Sequence, residues 1–115
     1  MRTRQHFQGR EIEYDEVSLD QAEDLRAEGA TVVDVRNHDE RGHKHVPNSI
    51  HIPLQELAGR LDEIPEGKIL LICARGQRSA AAAELIEQGT GRSDVSSVAG
   101  GTDGWEQAGK PINRG

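Results

Sequence analysis

The sequence is poor in the residues that mark several classes of protein. Its 115 residues include one cysteine and one each of tryptophan, tyrosine, phenylalanine and methionine. A single cysteine cannot form an internal disulfide, so we expect a reducing compartment, the cytoplasm. With so few aromatic side chains, the core has to be built from valine, isoleucine, leucine and alanine.

Long apolar segments and an excess of basic residues are also missing. The longest apolar run, Ile69–Ala74, is far too short to span a membrane, and "MRTRQHFQGREIEYDE" has no apolar stretch typical of a secretory signal. Acidic residues outnumber basic ones by 20 to 14, for a net charge of −6. We therefore expect neither a membrane nor a nucleic acid as a partner. The length predicts one domain over residues 1–115, with residues 1–10 loosely ordered.

Short apolar strands alternate with helical patterns along the chain. The segments "ATVVDVR", "KILLIC" and "DVSSVAGG" are typical of buried strands. Helices are predicted in "VSLDQAEDLRAEG", where Ser18 and Gln21 form a capping box, in "PLQELAGRLDEIP", in "SAAAAELIEQG", closed by Gly89, and in "TDGWEQAGKP". The segment "NHDERGHKHVPNS" is predicted to be irregular. This order predicts an α/β fold with a mainly parallel central sheet of about five strands and helices on both faces.

The only cysteine follows a buried strand and precedes a charged turn. Ligands of parallel sheets bind beyond the carboxyl ends of the strands, and Cys73 lies at such an end. The dipole of the next helix, the loop N–H groups and the guanidinium groups of Arg75 and Arg78 all favour thiolate over thiol. A lone cysteine after apolar residues is more often a small buried hydrophobe. A core position, however, has no need of Gly76 between two arginines, so a reactive thiol is slightly favoured.

Four segments of the chain resemble one family in the same order. The loop "CARGQRS" resembles the active loop of rhodanese-family sulfurtransferases, which begins with the nucleophilic cysteine. Further matches are "VVDVR" (Val32–Arg36), "HVPNSIHIP" (His45–Pro53, similar to "GHIPGAINIP") and "VAGGTDGWEQAGKPI" (Val98–Ile112, similar to "GG…W…AG.P"). The resemblance covers nearly everything from about Val17 onward and implies a single rhodanese-like domain.

The resemblance implies a ping-pong transfer of sulfur through Cys73. The thiolate takes a sulfane sulfur from a small anionic donor such as thiosulfate, becomes a persulfide, and passes the outer sulfur to cyanide or a thiol. No cofactor is implied. Loop amides suit an anionic persulfide, and the two guanidinium groups suit a dianionic donor. The residues expected to bind the substrate are Ala74, Arg75, Gly76, Gln77, Arg78 and Ser79.

Two other functions stay open. Cysteine phosphatases that share this fold have a loop one residue longer than the segment from Cys73 to Arg78, and they require a carboxylic acid to protonate the leaving group. No acid stands out for that role. The main alternative is a non-catalytic or relay module, which binds a partner or exchanges persulfide sulfur with a protein donor or acceptor.

Charged residues of the strand before the polar segment are assigned to the support of the site. Asp34 and Arg36 point to the same face of a strand, and charges in an apolar strand require partners. We expect an ion pair, formed between these two or with Asp39 or Glu40. Asp34, Arg36 and Glu40 are therefore predicted to hold the loop in place.

The remaining conspicuous residues receive structural interpretations. The histidines of the polar segment fit no zinc-binding spacing, so no metal site is predicted; they are His38, His43, His45 and His51. Gly100 and Gly101 predict a tight turn near the active loop, and Trp105 predicts a core anchor.

Overall fold

The computed structural model describes residues 1–115. The strands are β1 (Arg2–Phe7), β2 (Arg10–Val17), β3 (Thr31–Asp34), β4 (Lys44–His45), β5 (Ile50–His51), β6 (Ile69–Ile72), β7 (Val95–Val98) and β8 (Asn113–Arg114). The helices are α1 (Leu19–Ala27), α2 (His38–His43), α3 (Leu54–Leu57), α4 (Gln77–Thr90) and α5 (Gly101–Gln107), with a 3₁₀ turn at Leu61–Glu63.

The continuous apolar strands form the centre of one twisted sheet. Its six strands follow the order β1-β2-β7-β6-β3-β5, and every neighbouring pair is parallel except β1 with β2. Strands β4 and β8 form a separate antiparallel pair. The predicted mainly parallel α/β sheet is confirmed, with six strands rather than about five. In the register of β3 and β6, Asp34 pairs with Ile72, so the two strands end side by side.

Alternate residues of the central strands enter two different apolar layers. In β6, Ile69 and Leu71 face the same cluster as Cys73, which also contains the alanines of α4. Leu70 and Ile72 face the opposite cluster, which contains Trp105. This alternation is expected for a strand buried on both faces, and it places the cysteine on the α4 side of the sheet.

The predicted helix signals are present, with one change at the end of α4. The Ser18 hydroxyl accepts from the Gln21 N–H at 3.1 Å, and the Gln21 side chain accepts from the Ser18 N–H at 2.8 Å, as a capping box requires. Helix α4 does not end at Gly89. It runs to Thr90, and Gly91 with φ 74° forms the left-handed cap. A Cβ on Gly89 would lie 3.1 Å from the Leu61 side chain, so glycine permits close packing there.

The first ten residues contain a regular strand, where the sequence predicted a loose segment. Strand β1 pairs with β2 from Arg2 opposite Asp15 to Phe7 opposite Arg10. The hairpin turns at Gln8 and Gly9, both with positive φ (53° and 78°), which matches the twist of the two strands. The N-terminal residues therefore extend the sheet by one edge strand.

Two other expectations were wrong in detail. The polar segment after β3 is not wholly irregular, because Asn37 caps the short helix α2 through a reciprocal bond with Glu40. The single helix predicted from Pro53 onward is interrupted after Leu57, where tight turns at Gly59 and Arg60 separate α3 from the 3₁₀ turn. None of the helices has the length and apolar character needed to cross a bilayer.

Candidate functional site

Cys73 immediately follows β6, where the sheet meets the N-terminus of α4. Cys73 is 1% exposed and belongs to the apolar layer that contains Leu71 and Ala80. The thiol is free. The prediction that the cysteine lies at the carboxyl end of a central strand is therefore correct, and its side chain points into the protein rather than out of it.

The loop after Cys73 directs polar hydrogens at the sulfur. The Gly76 N–H donates to Sγ at 3.1 Å and the Ser79 N–H donates to Sγ at 3.2 Å. The Ser79 hydroxyl oxygen lies 3.3 Å from Sγ. Gly76 adopts φ 101°, a conformation that side chains disfavour, to make this turn. The sulfur therefore lies among apolar side chains, but the N–H groups that point at it suit a negative charge.

The N-terminus of α5 holds the loop from the other side. The Cys73 carbonyl accepts from the Thr102 N–H at 2.7 Å and from its hydroxyl at 3.1 Å. The Ala74 carbonyl accepts from the Asp103 N–H at 3.0 Å. A Cβ on Gly101 would stand 2.3 Å from the Cys73 carbonyl oxygen, so only glycine allows this approach. The tight turn expected at Gly100 and Gly101 allows this close approach, whereas no pattern in the sequence indicates the contact of Thr102 with Cys73.

The last arginine of the loop is clamped by a carboxylate from α2. Arg78 Nη1 donates to Glu40 Oε1 at 2.6 Å and Nη2 donates to Oε2 at 2.8 Å, a bidentate pair. The hydrogen bond from Arg78 holds the pKa of the Glu40 carboxyl below its usual range. Glu40 in turn raises the pKa of Arg78, and a smaller contribution comes from the nearby Cys73 sulfur. The Arg78 side chain is only 32% exposed.

Arg75, the other arginine of the loop, has almost no polar contacts. The Arg75 side chain is 80% exposed, and its one polar contact is a long bond from Nε to Asp103 at 3.4 Å. Gln77, the first residue of α4, is exposed as well, and Ala74 is half-buried. Arg75 and Gln77 therefore lie on the solvent-facing surface of the loop, whereas Cys73 is buried.

Asp34 and Arg36 form the expected ion pair with each other. Arg36 Nη2 donates to Asp34 Oδ2 at 2.8 Å and Arg36 Nε donates to Oδ1 at 3.0 Å, in a pair that is almost fully buried. Arg36 also donates to the Lys44 carbonyl at 2.6 Å, and Arg41 lies 3.6 Å from Asp34. The pair fixes the connection between β3 and β4, next to the clamp formed by Glu40.

The N-terminal hairpin also reaches the loop, which the sequence did not suggest. Gln5 Nε2 donates to the Gly76 carbonyl at 3.3 Å and to the Tyr14 hydroxyl at 2.6 Å. Burial raises the pKa of the Tyr14 hydroxyl. In the structure, exposed and half-buried residues alternate along β1, but its side chains are mostly polar on both faces, so the sequence carries no signal of this contact.

His38, His45 and His51 make local contacts. His51 Nε2 lies 2.7 Å from the Arg36 carbonyl, His45 Nδ1 lies 3.3 Å from the Arg41 carbonyl, and His38 packs edge-on against His51. No three histidine, cysteine or carboxylate side chains come together in a geometry that holds a metal ion.

None of the three surface cavities is lined by Cys73. The cavity adjoining the loop has a volume of about 370 Å³ and is lined by Phe7, Gln8, Leu54, Gln55 and Arg78. A larger one of about 400 Å³ lies between the hairpin and α4.

Comparisons with known proteins all point to the same family. The family model of the rhodanese-like domain matches residues 18–108. Thiosulfate sulfurtransferase GlpE of Actinobacillus pleuropneumoniae is 38% identical over 102 residues, which are 86% of this chain and 93% of the relative. GlpE of Pseudomonas syringae is 35% identical over 94 residues, covering 81% of this chain and 88% of the relative.

Solved structures agree. A rhodanese-related protein from Thermoplasma volcanium superposes with a TM-score of 0.77 at 34% identity, covering 87% of this chain and 98% of that chain. The hydrogen-bonded cysteine loop, the mainly parallel sheet and these similarities lead to one conclusion: the chain belongs to the rhodanese-like family.

Proposed function

We propose that the chain is a sulfurtransferase that moves a sulfane sulfur from thiosulfate to a thiophilic acceptor through a persulfide on Cys73. The observation that carries the proposal is the set of donors aimed at the sulfur, namely the N–H groups of Gly76 and Ser79 with the Ser79 hydroxyl beside them. A structural cysteine in an apolar core does not need such donors. An anionic sulfur does.

In the first half-reaction, the Cys73 thiolate attacks the outer sulfur of thiosulfate. A new S–S bond forms to Cys73, the S–S bond of thiosulfate breaks, and its electron pair leaves with sulfite. The product is an anionic persulfide. The positive end of α4 and the loop amides stabilise negative charge on sulfur throughout this step, so no separate base is required once the thiolate has formed.

In the second half-reaction, a nucleophilic acceptor attacks the outer persulfide sulfur. With cyanide, a carbon–sulfur bond forms, the S–S bond breaks, and thiocyanate leaves as the thiolate of Cys73 is restored. Thiols accept the sulfur in the same way. Cyanide is convenient for an assay, and a thiol is the acceptor that we expect in a reducing compartment such as the cytoplasm.

The two arginines have different roles in this proposal. Arg78 is a positioning residue, because Glu40 binds its guanidinium group and its backbone lies in the first turn of α4. Arg75 has no strong partner and is exposed at the loop surface, where it attracts and orients a dianionic donor. The burial of Cys73 favours a donor with one protruding sulfur atom over a bulky one, since only a slender group reaches such an atom.

Intact-mass measurement tests the proposal. Incubation with thiosulfate is expected to add the mass of one sulfur atom to the wild-type protein, and cyanide is expected to remove it. Cys73→Ser keeps the size of the side chain but lacks the nucleophilic sulfur, so it should gain no mass. Sulfur uptake by Cys73→Ser would contradict the mechanism.

A panel of donors separates the enzyme from the relay module. The panel holds thiosulfate and a desulfurase that carries its own persulfide. Loading by thiosulfate supports the proposed activity. Loading by the protein persulfide alone would replace it with the relay function, and loading by neither would refute sulfur transfer.

A further inference from the structure

A second serine lies behind the site, and the reaction described above does not use it. Ser97 on β7 is completely buried, and the only hydrogen-bond partner of its hydroxyl is the Ser79 hydroxyl at 2.7 Å. Ser79 in turn contacts Cys73 Sγ at 3.3 Å. Cys73 Sγ, Ser79 Oγ and Ser97 Oγ therefore form a hydrogen-bonded chain of three atoms.

The number of hydrogens in this chain depends on the charge of the sulfur. The sulfur contacts Ser79 Oγ, and Ser79 Oγ contacts Ser97 Oγ. Each of these two contacts can hold one hydrogen, so the three atoms have places for two. A neutral thiol brings three hydrogens, one on Cys73 and one on each serine, and leaves one of them without an acceptor in a buried place. A thiolate brings two, and both are used. Because unpaired buried polar groups cost free energy, the arrangement favours the anion.

We propose that Ser97 is a positioning residue for the sulfur anion, an inference that rests on the proposed function of Cys73. The Ser97 O–H donates to Ser79 Oγ. That bond turns the Ser79 O–H toward Sγ, where it joins the N–H groups of Gly76 and Ser79 as a third donor. Ser97 itself does not touch the substrate.

Other charged groups around the sulfur are unaffected by a change at Ser97. From β2 the nearby titratable group is Tyr14, which is bonded to Glu16, and from α4 it is Arg78. The remaining charges of the surrounding elements are Asp34 at the end of β3, Arg36 after it, Glu40 on α2, Arg75 in the loop and Asp103 on α5. Replacing a neutral serine changes none of these charges, so any altered reactivity reports on the hydroxyl chain.

Ser96 supplies a matched control on the same strand. It is also completely buried, but its hydroxyl accepts from Lys68 Nζ at 2.6 Å and donates to Asp15. Successive residues of a strand point to opposite faces, so Ser96 faces away from Cys73. Ser96→Ala therefore removes a buried hydroxyl from β7 but leaves the hydrogen bonds among Cys73, Ser79 and Ser97 unchanged.

The measurement is the pH dependence of iodoacetamide alkylation, in which the single cysteine is the only thiol that reacts. For Ser97→Ala we expect the half-maximal rate to move upward by roughly half to one pH unit, because one donor to the anion loses its orientation. At neutral pH the rate of sulfur uptake is expected to fall about three- to tenfold, with an unchanged KM for thiosulfate. Ser96→Ala should match the wild type in both measurements.

A second pair of variants separates the hydroxyl from packing. Thr and Val have nearly the same shape, so Ser97→Thr is expected to retain the wild-type alkylation profile and Ser97→Val to shift it. Coincident profiles for Ser97→Val and Ser97→Thr, or for Ser97→Ala and wild type, would overturn the inference. Alkylation does not require a sulfur donor. A wild-type protein that takes up no sulfur would refute the proposed function, while the alkylation profiles would still decide the role of Ser97.

Discussion

The backbone of the loop that follows Cys73 and the outer side chains of this loop are held in opposite ways. The backbone is fixed at the start by Thr102 and Asp103, which bind the carbonyls of Cys73 and Ala74, and at the end by the clamp between Arg78 and Glu40. On the outer surface of the loop, the Arg75 side chain is 80% exposed, and its one polar contact is the 3.4 Å bond to Asp103.

In the proposed mechanism, this difference separates two tasks. Donors to a developing charge act best when they are in place before the reaction, which requires a rigid backbone around the sulfur. A residue that meets a diffusing anion gains from being exposed and free to adjust. Changes to the anchors should therefore affect stability and sulfur chemistry together, whereas changes at Arg75 should affect donor binding alone.

The largest effect is expected where the backbone anchor allows no extra atom. Gly101→Ala would place a methyl group 2.3 Å from the Cys73 carbonyl oxygen and 2.5 Å from that of Ala74, at a φ of 58°. Left-handed backbone and the steric clash together should lower the free energy of unfolding by about 3 kcal/mol or more. Urea denaturation measures the loss, and sulfur uptake should fall as the loop moves.

Gly109 provides the matched control for that change. It also has a positive φ (73°), but a Cβ there would meet no atom within 4 Å. Gly109→Ala is expected to cost about 1 kcal/mol, from backbone conformation alone. If Gly101→Ala were no more costly than Gly109→Ala, the loop would not be held by a tight approach of α5.

A smaller effect is expected at the other anchor, and it depends on pH. Arg78 lowers the pKa of Glu40 in the folded protein, so the stabilisation is complete above the unfolded value of about 4.3 and is lost as pH falls through the folded value. Glu40→Gln should reduce the free energy of unfolding by about 1 kcal/mol at pH 7, since the pair is partly exposed. At a pH below the folded value, wild type and variant should become nearly equal.

Urea denaturation of both proteins across this pH range gives the comparison. Glu63 is a suitable control, because it pairs with Arg60 at 2.8 Å on the exposed surface, where ion pairs contribute little. Glu63→Gln should leave the stability almost unchanged at every pH. A stability difference for Glu40→Gln that persists undiminished at low pH would show that the carboxylate charge is not what the anchor uses.

The sequence was informative where the relevant residues are close along the chain. The apolar strands, the capping box of Ser18 and Gln21, and the position of Cys73 after β6 all follow from patterns within a few residues. The ion pair of Asp34 and Arg36 was also accessible, because residues two apart on a strand share a face.

Contacts between distant segments could not be predicted in the same way. Glu40 and Arg78 are 38 positions apart, and Ser79 and Ser97 are 18 apart, so only the packing of strands and helices brings them together. The edge strand β1 cannot be predicted from its own sequence, because its residues are mostly polar on both faces and form no apolar run. Its pairing with β2 depends on the turn at Gln8 and Gly9.

The smallest effect is expected at the exposed arginine, and it is the sharpest test of the division of tasks. Arg75→Glu should raise the KM for thiosulfate about three- to tenfold at low salt, and added salt should reduce the difference. The maximal rate and the alkylation profile should stay unchanged, because the donors to the sulfur are not moved. Arg4→Glu makes the same charge reversal on the exposed face of β1 and should leave KM as it is. Equal increases in KM for both variants would mean that net charge attracts the donor, and that Arg75 has no special place beside the loop.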